Sequence, residues 1–218
     1  MRETKFENGE CYHVYNRGVD KRTITRDKFD SDRFVQGLID FNTSDDIGSI
    51  RDCELRRERG NVNPVDQNPL VEIIAYCLNP NHFHFILRQL QDNGISLFLR
   101  SQAGGYARYF NKRHHRTGAL FEGRFKAKWI EDNEELRYKS VYVNLNDRVH
   151  RLGEGMVKLV RSSWNEYAQS VKGISRPEIV LSGFKNFDAY ERYANDTLAE
   201  ILEAKELEKE LQQIEFED

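Results

Sequence analysis

With 218 residues, 39% hydrophobic and 32% charged, the chain suits one domain of ordinary size plus an appendage. No apolar run nears the roughly 20 residues of a membrane helix, and the polar start MRETKFENGE lacks the apolar stretch of a signal peptide. A soluble cytoplasmic protein with no membrane partner is expected, and Cys11, Cys53 and Cys77, widely spaced with no CxxC, argue against a disulfide framework or a thiolate metal site. The net charge of −3 hides an asymmetry, because Ala199–Asp218 holds eight acids against two lysines and leaves +3 on residues 1–198. Leu90–Ile130 alone carries +6, with His114 and His115 in addition. A local field of that size suits a polyanion, although a solvated helix face explains it equally well.

In chain order, ECYHVYNRG (Glu10–Gly18) is rich in β-branched and aromatic residues and ends on glycine, so it reads as a strand. Asp30 or Ser31 can cap a helix whose apolar residues Phe34, Leu38 and Phe41 recur at helical spacing. Residues 43–69 hold charges, Asn and Pro with little periodicity, and are expected to form an exposed inserted loop. VEIIAYCL (Val71–Leu78) reads as a buried strand, Asn79-Pro80-Asn81 as a turn, and HFHFILRQ (His82–Gln89) as the return strand. Ile95, Leu99, Ala103, Tyr106 and Phe110 share one helix face, weakened by Gly104 and Gly105. FKAKWI (Phe125–Ile130) is a further short strand, and Asp132 with Glu135 resembles a capping box opening a helix to about Asn146. The element order predicts an α+β fold, an antiparallel sheet with helices on one face, close to the split βαβ (ferredoxin-like) pattern. Residues 1–150 are expected as the main domain, and 151–218 as a mainly helical C-terminal extension with an acidic tail.

His82 and His84, two apart on a strand, leave the same sheet face, while Phe83 and Phe85 point to the other. The pair is a ready bidentate metal site, or two hydrogen-bonded, half-buried histidines. Tyr142 and Asn146, four apart, put a phenol and an amide oxygen on one helix face. Tyr138, one turn earlier, is the rival nucleophile, and Tyr142 packing on the sheet is the bland alternative.

CLNPNHFHFILR resembles the histidine–hydrophobic–histidine (HUH) motif of the single-tyrosine transposases, usually a Pro-Asn-His-x-His run on a strand. YHVYNRG resembles that family's first strand, and YARYFNKRHHRTGALFEGRFKA its next helix with the Gly-x-Leu-x-Glu-Gly-Arg-Phe segment. VYVNLNDRV resembles the tyrosine helix, often Tyr-Ile-x-x-Asn-Pro-Val, and SSWNEY (Ser162–Tyr167) a short downstream motif. The likeness runs over about residues 8–170 and is nearest to the REP-associated tyrosine transposases. It implies an HUH nuclease fold, His82, His84 and Asn146 as metal ligands, Tyr142 as nucleophile, and 43–69 as an insertion. Asp147-Arg148 stands where Pro-Val is frequent, which leaves the end of that helix open.

The resemblance implies single-stranded DNA nicking and joining through a 5′-phosphotyrosine, with hairpin-bearing DNA as partner, in a nucleoid-associated monomer or homodimer. Phenolate at pH 7 costs roughly 4 kcal/mol for a tyrosine of pKa about 10, so a divalent ion, Mg²⁺ or Mn²⁺, is expected beside it. Zinc stays open, but no thiolate is well placed for it. No Walker-type glycine-rich run is present, consistent with strand joining that needs no ATP. Arg124 and Lys126, Asn16 and Arg17, and the outward Arg108 and Arg113 are expected DNA contacts. Two other readings remain: a non-catalytic nucleic-acid-binding protein on the same scaffold, and a metal-dependent hydrolase with water as nucleophile and Tyr142 structural.

Overall fold

The strands form where β-branched and aromatic residues concentrate, and they assemble into one sheet. A computed structural model describes residues 5–45, 47, 53, 55, 58–59, 68–169 and 173–215. The strands are β1 (Cys11–Arg17), β2 (Val71–Leu78), β3 (His82–Gln89), β4 (Lys126–Ile130) and β5 (Arg161–Ser162). Between and after them run α1 (Lys28–Asp40), α2 (Gly94–Arg113), α3 (Asn133–Asn144), α4 (Asn146–Val149), α5 (Glu154–Val157), α6 (Trp164–Gln169), α7 (Glu178–Leu181) and α8 (Phe187–Glu215). The sheet order is β4-β1-β3-β2-β5, and every pairing is antiparallel. β3 therefore inserts between β1 and β2, which run parallel to each other: this is the split βαβ arrangement, extended by β5 at the β2 edge. The fold is α+β, as expected.

Helices cover both sheet faces, not one. On the first face Phe34 and Leu38 of α1, and Phe98, Tyr106 and Phe110 of α2, bury against Val14, Phe83, Phe85 and Leu87. On the second, Leu136, Val141 and Val143 of α3 and Tyr190 and Ala194 of α8 bury against Ile74, Ala75, Cys77 and Ile86. The physical reason lies in β2 and β3, whose near-continuous apolar runs leave no side fit for water. Ile74 and Ala75 share the second face through a register irregularity between Ile73 and Ala75, which re-aims the strand locally. Gly105 packs its bare Cα against Phe41, where an added Cβ would lie 2.5 Å from the ring.

Three local expectations change. α1 is capped by Asp27, whose side chain accepts from the Asp30 N–H, so Asp30 and Ser31 lie buried in the first turn. Asp132 caps α3 as expected, but the helix stops at Asn144 and Asn146 opens the separate α4. The break falls at Leu145 (φ −109°, ψ 24°), whose apolar side chain is buried. Most of 43–69 lies outside the described residues, and among those described Cys53 is buried. After residue 150, β5 joins the sheet through Cys77↔Ser162 and Leu78↔Arg161, and α8 packs on α3.

Candidate active site

Antiparallel pairing of β1 with β3 sets Tyr15 opposite His84 and Arg17 opposite His82. The period of two then gathers His13, Tyr15 and Arg17 on the same face as both histidines. Tyr15, Arg17, His82 and His84 floor a cleft of about 540 Å³ whose walls include Tyr142, His150 and Lys126, and His13 adjoins it through His84. Gly18 closes β1 at a tight turn, where a Cβ would meet the Arg22 carbonyl at 2.2 Å. Its N–H donates to the Asn81 carbonyl at 2.8 Å, which ties the end of β1 to the turn before His82.

His82 sits among three asparagines. Its Nδ1 lies 2.6 Å from Asn81 Oδ1, and its Nε2 lies 2.9 Å from both Asn146 Oδ1 and Asn79 Nδ2. Asn79 Nδ2 also donates to Asn146 Oδ1 at 2.7 Å. Asn81 Oδ1 can only accept and Asn79 Nδ2 can only donate, and together they place the proton of a neutral His82 on Nδ1. The Nε2 lone pair and Asn146 Oδ1 then lie side by side, two electron-pair donors steadied by one amide.

His84 is 7% exposed and clusters with His13 (ring centroids 5.1 Å apart) and Tyr15 (5.4 Å), which are themselves 5.2 Å apart. Its Nδ1 meets His13 Nε2 at 2.9 Å. Burial, reinforced by His13, His82, His150 and Lys205, holds the His84 pKa well below the ordinary imidazole range. Burial also lowers His82, and takes His13 to about 3 and His150 to about 4. Neutral imidazoles with lone pairs to offer are the form a metal needs.

Tyr142 presents its ring edge-on to His84 at 5.5 Å and to His13 at 5.9 Å. Burial raises its pKa, and the Asn146 side chain opposes this in part. Because α3 ends before Asn146, the juxtaposition of Tyr142 and Asn146 depends on the Leu145 break, with Asn146 Nδ2 donating back to the Tyr142 carbonyl at 3.3 Å. The tyrosine helix is clamped from behind. Ser163 Oγ donates to Asn144 Oδ1 and accepts from the Tyr76 N–H, and Asn144 Nδ2 donates to the Tyr190 hydroxyl at 3.2 Å. Tyr167 donates to the Ile74 carbonyl at 3.0 Å. The SSWNEY segment therefore joins α3, β2 and α8.

Of the expected DNA contacts, Asn16, Arg17 and Lys126 line the cleft. Asn16 is buried and donates to the Gly123 carbonyl at 3.4 Å, and Arg17 pairs with Glu122 at 2.7 Å. Arg124 is exposed on the approach to β4. Arg108 and Arg113 belong to α2 on the opposite sheet face. Arg108 borders a separate cleft with Arg100 and Phe41, and Arg113 is held by Asp27 and Asp30. Tyr138 is partly exposed, with Lys139 over its ring at 5.4 Å. The sequence reading missed His13, Tyr15, Lys21 and His150 in and around the cleft. For His13 and Tyr15 the signal was present, as strand alternation from Arg17; for His150, beyond the helix break, there was none.

Among the described residues no three His, Cys, Asp or Glu side chains form a metal-holding group. The candidate donors are two imidazoles and the Asn146 amide oxygen, which meets His82 Nε2, a set whose chemistry suits Mg²⁺ or Mn²⁺.

The fold is an α+β sheet of split βαβ order with a histidine pair facing a helical tyrosine. Residues 59–146 match the model of the family described as Transposase IS200 like, in agreement with the resemblance carried by the motifs. The fold is shared with a REP-associated tyrosine transposase solved bound to a REP hairpin. That protein is 15% identical, and the match covers 81% of this chain and 90% of that one with a TM-score of 0.50. A Deinococcus radiodurans R1 protein described as a candidate transposase is 14% identical over 64% of this chain and 93% of its own. Its TM-score of 0.37 is too low to argue from. No curated protein matches the chain. No helix among the described residues is long and apolar enough to cross a membrane.

Proposed function

We propose that the protein nicks and rejoins single-stranded, hairpin-bearing DNA as a transposase, with Tyr142 as nucleophile. The observation that carries this is that Tyr142, His82 and His84 line one cleft with Arg17, Lys21 and Lys126, with the Asn146 amide oxygen against His82. His82, His84 and Asn146 would hold the divalent ion, which when bound supplies positive charge beside the scissile phosphate. The chain's own residues do the rest. Tyr142 Oη attacks phosphorus and loses its proton to water. The P–O3′ bond breaks, the 5′-phosphate stays on the tyrosine, and the departing oxygen takes a proton to become a 3′-OH. Attack by a 3′-OH on the phosphotyrosine reverses these steps, so the phosphodiester bond energy is kept and no ATP is consumed. Arg17 and Lys126 hold backbone phosphates at the rim, and Arg124 extends that strip. Arg108 and Arg113, on the other face, are at most distant contacts. We assign the chemistry to residues 1–150 and the bracing of the tyrosine helix to 151–218.

The test is incubation of labelled hairpin oligonucleotides with protein and Mg²⁺ or Mn²⁺, scored on denaturing gels. Wild type and Tyr138→Phe should form a covalent adduct, and Tyr142→Phe none. An adduct that survives Tyr142→Phe and disappears in Tyr138→Phe transfers the role to Tyr138. Cleavage by Tyr142→Phe without any adduct selects the water-nucleophile hydrolase. DNA binding without cleavage by wild type selects the non-catalytic binding protein.

A further inference from the structure

The buried His13–His84 pair has a consequence for the candidate metal centre, and the argument rests on the reading of His84 as a ligand. Two neutral imidazoles that share one hydrogen bond must divide the roles, one donating its N–H and the other its lone pair. The contact joins His13 Nε2 to His84 Nδ1 at 2.9 Å, so Nδ1 of His84 is not open to a metal. Only His84 Nε2 is left for ligation, and it offers a lone pair only when the His84 proton sits on Nδ1. The opposite arrangement, with His13 Nε2 donating, would put a proton on His84 Nε2 and close the site.

We infer that His13 is a positioning residue for the metal centre: its Nε2 accepts the His84 Nδ1–H and thereby keeps the His84 Nε2 lone pair turned to the cleft. The two rings, 14° from coplanar and joined through this bond, fix the orientation of His84. Tyr15 packs against both imidazoles, 5.4 Å from His84 and 5.2 Å from His13. His13 touches Tyr142 edge-on at 5.9 Å, so the same imidazole sets the spacing between nucleophile and ligand. His82 obtains the same service from Asn81 Oδ1 at 2.6 Å. The two candidate ligands thus receive matching acceptors from different elements, the strand β1 and the turn before β3. A partner of this kind orients the ligating ring and raises its basicity.

The test is Mn²⁺ binding to the full chain by titration calorimetry, with His13→Leu, His13→Gln and His84→Ala beside wild type. Removing such a partner costs about 10- to 100-fold in metal affinity, and His13→Leu should show that loss. His13→Gln, which restores a side-chain acceptor, should bind close to wild type. If His13→Leu binds as wild type while His84→Ala does not, or if His13→Gln is as weak as His13→Leu, the inference about His13 is wrong and the site stands. If His84→Ala also binds as wild type, the metal reading itself falls. Should His13→Leu fail to fold, imidazole ¹⁵N spectra of the metal-free wild type decide. A protonated Nδ1 on His84 supports the assignment, and a protonated Nε2 overturns it.

Discussion

Glu122 is an acid at the rim of a cleft that we assign to DNA, and its removal makes a sharp prediction. It pairs with Arg17 at 2.7 Å, with side chains 31% and 48% exposed respectively. Its backbone N–H independently donates to the Arg17 carbonyl at 2.8 Å, so Glu122→Gln should leave the local chain path intact. A phosphate that engages Arg17 must displace or share this carboxylate. Exposed pairs couple by about 0.2–1 kcal/mol, so freeing Arg17 should tighten DNA binding by at most about fivefold. Arg17→Gln should weaken binding and lower the slope of log affinity against log salt by roughly 0.7, the share of one phosphate on a single strand. Fluorescence anisotropy of a labelled hairpin oligonucleotide between about 50 and 200 mM salt measures both. If neither variant moves the affinity or the slope, Arg17 does not touch DNA and the strand does not run along this rim.

Gly104 and Gly105 are neighbours with opposite expected responses. At Gly104 an added Cβ meets nothing within 4 Å, so Gly104→Ala should stabilise α2 by about 1 kcal/mol. Gly105→Ala drives a methyl into Phe41 and should destabilise; denaturant midpoints of the two variants check the contrast. Tyr167→Phe removes the bond to the Ile74 carbonyl and should cost about 1 kcal/mol, read as a fall of about 2–4 °C in Tm. His13 is held neutral in the fold, with a pKa near 3 against 6.5 in the free side chain, so below pH 6.5 the unfolded chain binds the extra proton. Its contribution is complete above pH 6.5 and lost as pH falls, by about 2 kcal/mol at pH 5. Metal-free protein should show a lower Tm at pH 5 than at pH 7.5, and His13→Gln should reduce that difference, the rest being carried by His82, His84 and His150.

The strands β1 to β4, the placement of α2 and the capping of α3 by Asp132 were all legible in the chain. Each rests on local chemistry: alternation, helical spacing, or a side chain within three residues of the N–H it caps. His82 and His84 were legible as a same-face pair for the same reason, and the motifs around them carried the family. Their partners were less so. Asn79 and Asn81 read as turn residues, although both also hold His82, because an amide that shapes a turn and one that orients an imidazole look alike in sequence. Arg113 read as an outward cation, yet Asp27 and Asp30 from α1 hold it.

The sequence by itself determined that β1 to β4 become strands, that β2 and β3 are too apolar to face water, and that His82 and His84 share one sheet face. Register and topology decided what those residues do together. The pairing of β1 with β3 brought His13 to within 2.9 Å of His84, across 71 residues of chain. The Leu145 break and the Ser163–Asn144–Tyr190 clamp aimed Tyr142 and Asn146 at the histidines. From the segment expected as an appendage, β5 extended the sheet at the β2 edge and α8 closed its second face. The reason is the range of the interactions. Periodicity and capping act within a turn or two of chain, whereas hydrogen bonds between distant buried groups exist only after the sheet has set their register.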